Sequence, residues 1–260
     1  MSTTTLTTPM RVDTSGVHAR PGLGRLVTVE VRKMVDTRAG FWLQIAMVAI
    51  TAIVVAARSA FGGAADHTFA AVLDLAILPA ASLLPVAAVL LVTSEWSQRT
   101  GLITFALVPV RTRVLTAKLV ASLLAAVAML VVCVGVVAAG VAIAAPGDGA
   151  WADALPLVGQ SVVYLTAGMV TGLAFGAMLL ASAPALVSLF VLPTAWMAAG
   201  SLSFLTGVAP WLDTSRALSP MHREVMSPAQ WAHAGTALAL WMVLPLLIGI
   251  WRIARRGVSV

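Results

Sequence analysis

Of 260 residues, 60% are drawn from AVILMFWYC and only 10% are charged, whereas soluble domains carry about 45–50% apolar and about 25% charged residues. That balance excludes an ordinary soluble enzyme. The formal charge of +6 matters less by its sum than by its placement, which points to a membrane surface and not to nucleic acid. The single cysteine, Cys133, lies inside an apolar run, so neither a disulfide framework nor a thiol cluster for a metal is available.

The polar, threonine-rich leader 1–20 predicts a disordered segment with no small-residue cleavage signature behind it. Across 21–38, Leu23, Leu26, Val27, Val31, Met34 and Val35 recur at spacings of three and four. This predicts an amphipathic helix lying in the membrane interface. Glu30 falls at the edge of its apolar face, within reach of Lys33 at i+3, with Arg32 on the polar side.

Six apolar runs follow: Ala39–Ala57, Leu75–Ser94, Leu119–Ala145, Leu157–Ser182, Pro184–Leu205 and Ala234–Trp251. Each approaches the roughly 20 residues that a spanning helix needs, and residues 154–212 hold no Asp, Glu, Lys, Arg or His. The chain therefore reads as an all-α integral membrane protein, with a six-helix domain over 39–251 and a basic tail over 252–260. The corner Ser182–Ala183–Pro184 makes the fourth and fifth spans a tight hairpin, since proline fits a first helical turn. Asp74 lies at the end of the second span and reads as a helix-start residue at headgroup level.

Segment 94–118 is too charged to insert and longer than a turn requires. Glu95 and Arg99 stand at i,i+4, Leu102, Phe105 and Ala106 form a short apolar stripe, and Pro109 stops the helix. Such a stripe predicts docking of a partner. Arg111, Arg113 and Lys118 form a basic strip suited to anionic headgroups or an acidic partner surface. Further on, Gly168, Gly172 and Gly176 lie on one face of the fourth span and predict close helix packing, within the chain and against the hairpin neighbour. The loop 206–231, with Pro210, Trp211, Asp213 and Trp231, predicts short helices at the outer interface.

Orientation follows from Lys and Arg. Thirteen of the 16 fall before the first span, between the second and third, or after the sixth. Because basic residues collect in cytoplasmic loops, both termini are expected in the cytosol.

Glu30–Val31–Arg32–Lys33 before the first span, the stretch from Glu95 to Lys118 with Arg99–Thr100–Gly101, Pro109 and Arg111, and the late Trp211–Leu212–Asp213 loop together resemble permease subunits of ABC transporters of the ABC-2 export type. The resemblance covers residues 20 to 256. It implies that Glu95–Pro109 is a coupling helix entering a cleft on a separate ABC ATPase, which binds the ATP and Mg. It also implies a second permease copy or a sister permease, a bacterial plasma membrane, an outer lid over 206–231, and a path at the dimer seam. On the fifth span Ser188, Thr194, Trp196, Met197 and Ser201 offer that path an amphiphilic lining without fixed charge, suited to a hydrophobic or amphipathic cargo.

The sequence holds no phosphate loop, no Rossmann-type fingerprint and no H-E-x-x-H or G-x-S-x-G pattern. It is therefore read as a non-enzymatic chain with no cofactor or metal of its own. Two other readings stand beside the permease: a membrane anchor or sensor that recruits a cytosolic partner through the same loop, and an ion-coupled secondary carrier.

Overall fold

The computed structural model describes residues 22–97, 111–144, 147–200, 202–205 and 207–255. Helix α1 (Leu23–Asp36) ends at an extended Thr37, whose hydroxyl accepts from the Gly40 N–H and so caps α2 (Arg38–Phe61). The turn is tight enough that a Cβ on Gly40 would stand 1.9 Å from the Met34 carbonyl oxygen. Helices α3 (Phe69–Ala76) and α4 (Leu78–Ser97) form one span broken at Ile77. Pro79, which has no N–H to give to the preceding turn, lies two residues past the break. The Ala76 carbonyl at the break accepts from the Thr51 hydroxyl at 3.0 Å and from the Cys133 thiol at 3.6 Å, lateral donors of the kind that let kinked helices persist in lipid. Helix α5 (Arg111–Ala144) is followed by α6 (Ala154–Leu179) and α7 (Ser182–Ala199). Short helices α8 (Ala209–Leu212) and α9 (Thr214–Leu218) then lead to a last span made of α10 (Pro228–Leu238), a π-helical turn (Ala239–Val243) and α11 (Leu244–Arg255).

Among the described residues six helices are long and apolar enough to cross a membrane: Arg38–Phe61, Phe69–Ser94, Arg113–Ala144, Gly149–Leu179, Ser182–Ala199 and Pro228–Arg255. The described residues form helices and no strand, as fits a multi-pass membrane protein. The second, third and sixth spans begin six residues earlier than their apolar runs and the fourth begins eight earlier. The fifth ends earlier than its run, at Gly200. The hairpin corner lies earlier than expected, since the chain reverses at Leu180, in the left-handed region at φ 55°, while Pro184 sits in the first turn of α7 as its sequence position predicts.

The core lies between the second and fourth spans. Gly172 faces Pro85 so closely that a Cβ would meet the Pro85 carbonyl oxygen at 2.1 Å, whereas one on Gly168 would meet the Pro85 Cγ at an ordinary 3.5 Å. The glycine face therefore packs within the chain, as expected. Its partner is α4 and not the hairpin neighbour α7, because Gly172, having no Cβ, lets the Pro85 backbone of α4 come against it. Behind it, Gly249 of α11 abuts Ala177. Around this centre Phe69, Leu73, Ile77, Leu84, Leu165, Met169, Leu173 and Phe175 are fully buried.

Candidate functional site

Both described borders of the segment after Ser97 are tied to α1. In α1 the face turned inward carries Leu26, Val27, Val31 and Met34, with Glu30 in its middle and 4% exposed. The helix thus lays its apolar stripe on α5 and α2, and Glu30 sits at the centre of that stripe and not at its edge. One Glu30 carboxylate oxygen takes the Lys33 ammonium at 2.7 Å, the i+3 partner the spacing predicts, and the other takes Lys118 of α5 at 2.7 Å. Lys118 is 3% exposed and also donates to the Leu91 carbonyl of α4 at 3.0 Å. It is therefore no part of a headgroup-facing strip: its long stem reaches inward because a buried carboxylate on another helix waits there.

Other polar links gather at the same end. The Thr93 and Ser182 hydroxyls are 2.7 Å apart, joining α4 to the start of α7. Arg252 near the end of α11 donates to the Met178 carbonyl in the last turn of α6, where helix carbonyls lack partners. Of the residues expected to engage an ATPase, Glu95 lies in the last turn of α4 and Arg111 opens α5. Arg99, Thr100, Gly101, Leu102, Phe105 and Pro109 lie outside the described residues, as do the leader 1–20 and the tail beyond Arg255. Arg32 is exposed on α1.

The fifth-span candidates form a lateral face. Met197 and Thr194 are exposed, Ser188 and Trp196 are half-buried, and Ser201 is outside the described residues. The Thr194 hydroxyl donates to the Phe190 carbonyl of its own helix, the usual way such a group is satisfied in a spanning helix. The Trp196 indole Nε1 is buried and has no hydrogen-bond partner among the described residues.

At the opposite end a cluster absent from the expectations appears. Asp74 lies on α3, two turns into the second span and half-buried, not at a helix start. Its Oδ1 is 2.9 Å from the Arg223 Nε and 2.9 Å from the His222 Nδ1, the first contact aligned as a hydrogen bond and the second not. His222 is 2% exposed, and its ring stacks on Tyr164 of α6 with centroids 4.9 Å apart. Burial pushes the His222 pKa below its usual 6.5; the Asp74 charge opposes this and the Arg223 charge adds to it.

The same loop is pinned by Gln160 of α6, whose amide donates to the Met221 and Glu224 carbonyls and whose oxygen accepts from the Met226 N–H. Asp213, fully buried, caps α9 by accepting from the Ser215 and Arg216 N–H groups, and lies 3.4 Å from the Arg216 Nε. Trp241 donates to the Leu212 carbonyl. Of the four loop charges, Asp213 and Arg216 pair with each other, whereas Arg223 turns to Asp74 and Glu224 to the Gln230 amide.

Among the described residues no group of three His, Cys, Asp or Glu side chains is placed to hold a metal. The roles of Lys118, Gln160 and His222 escape sequence reading because their partners lie 27 to 148 residues away in the chain, and no local spacing records that. No family model matches the chain, and no curated protein sequence matches it.

Proposed function

We propose that the chain is the transmembrane permease subunit of an ATP-driven exporter of the ABC-2 type, powered by a separate ATPase and acting as a pair of permease chains in a plasma membrane. The observation that carries this reading is the buried Glu30 carboxylate held by Lys118 and Lys33, with Lys118 also on the Leu91 carbonyl. It joins α1, α4 and α5, so a push on segment 98–110 reaches the interfacial helix and two spans together. A loop that merely tethered a partner would have no need of such a link. The basic-residue bias favours a cytosolic side for both termini and for segment 98–110. The cargo path is drawn along the fifth span, at Ser188, Thr194, Trp196 and Met197, as a seam between two chains.

The test is co-expression with a candidate ABC ATPase subunit, followed by reconstitution of the copurified complex into vesicles. Amphipathic compounds are expected to stimulate ATP hydrolysis, and Lys118→Met to leave the ATPase bound while abolishing that stimulation. A complex that copurifies but responds to no cargo would make the chain an anchor. Uptake driven by an ion gradient without ATP would make it a secondary carrier.

A further inference from the structure

We infer that a half-open cavity formed within one chain, between α4, α6, α7, the sixth span and the short helices of the 209–223 loop, is a binding site for a drug-sized amphipathic molecule with an uncharged polar end. The cavity holds about 380 Å³, inside the range of small-molecule sites and well short of a two-chain phospholipid. None of Ser188, Thr194, Trp196 or Met197 lines it, although Leu189, Phe190 and Pro193 of the same helix do. It is therefore distinct from the lateral face of the fifth span.

Three features of the lining select the ligand. Aromatic rings of Tyr164, Phe175, Phe190 and Trp241 give it broad apolar faces. The polar contribution is of hydroxyls, from Ser82 and Thr171 on the spans and from Thr214, Ser215 and Ser219 on the loop. To these the prolines add acceptors: Pro85 and Pro193 have no N–H to give to Ala81 and Leu189 four residues earlier, and both of those residues line the cavity. A helix carbonyl released beside an internal space in lipid calls for a donor, and a ligand hydroxyl or amide supplies one.

Charge is the third feature. Arg223 at the rim is compensated by Asp74 at 2.9 Å, and the other titratable groups of the lining are His222 and Tyr164. Burial favours the neutral form of His222. A ligand carrying a fixed charge would find no counter-charge and would lose its hydration on entry. As a binding site this cavity stands without an ATPase; only its identification as the cargo site rests on the permease reading. The test therefore measures binding alone.

In a Cys133→Ala background, Ser219→Cys places a thiol on the cavity wall and Leu192→Cys places one on the exposed, lipid-facing side of α7. Each is reacted with N-ethylmaleimide in phosphatidylcholine nanodiscs, with progesterone as the uncharged probe, rhodamine 6G as the cation and deoxycholate as the anion. Progesterone at about ten times its Kd is expected to slow labelling at position 219 about tenfold and leave position 192 unchanged, with the charged probes giving no protection. An unchanged rate at 219, equal slowing at 192, or equal protection by either charged probe would overturn the proposal. Thr171→Cys, on the opposite wall, gives the same readout if Ser219→Cys fails to fold.

Discussion

A carboxylate buried with both oxygens on ammonium groups is costly to desolvate and costlier to break. Removing one partner strands the other charge away from water, at about 3–5 kcal/mol. Glu30→Gln is expected to lower stability by about that much, because buried Lys118 loses its carboxylate. Lys118→Met should cost less, since Glu30 keeps Lys33. Thermal unfolding of the two variants in detergent checks the order; equal losses would mean that Lys33 contributes nothing. His222 sets a pH dependence at the other end. Its pKa is lower in the folded chain than its ordinary 6.5, so the unfolded state binds the proton first. The stability from this contact is present above pH 6.5 and is lost as pH falls through the depressed native value. The melting temperature should drop between about pH 7.5 and about pH 5, and His222→Asn should flatten that part of the profile.

At the scale of helices, backbone proximity decides which glycines matter. The G-x-x-x-G pattern of 168–176 is visible in the sequence, yet it ranks its members equally. The structure does not: a methyl group on Gly172 collides with the Pro85 backbone at 2.1 Å, while on Gly168 it makes a 3.5 Å contact with a ring carbon. Gly172→Ala is therefore expected to destabilise by about 1–3 kcal/mol through overpacking. Gly168→Ala should be neutral or, through helix propensity, stabilising by up to about 1 kcal/mol. Chemical unfolding of the two variants checks the contrast. The prolines divide likewise. Pro79, Pro85, Pro193 and Pro245 all predict kinks from sequence, but that Pro85 and Pro193 line one cavity follows only from the packing of α4, α6 and α7.

Taken whole, five of the span-length helices lie between α1 and the 209–223 loop, and an odd number of crossings sets the two on opposite faces of a bilayer. Val29→Cys on α1 and Val225→Cys after the loop, both at exposed positions, test this in the Cys133→Ala background. A membrane-impermeant maleimide should reach position 225 in intact cells and position 29 only after permeabilisation; labelling of both from one side would overturn the topology. Composition and run length alone determined that the chain is helical, crosses the membrane several times and carries its basic residues at one end, because hydrocarbon admits few alternatives and each signal is local. Tertiary structure alone decided that Lys118 turns inward to Glu30, that Asp74 meets His222 and Arg223, and that prolines on two helices border one cavity. Those contacts join residues far apart in the chain, and a partner's direction and depth exist only once the helices have packed.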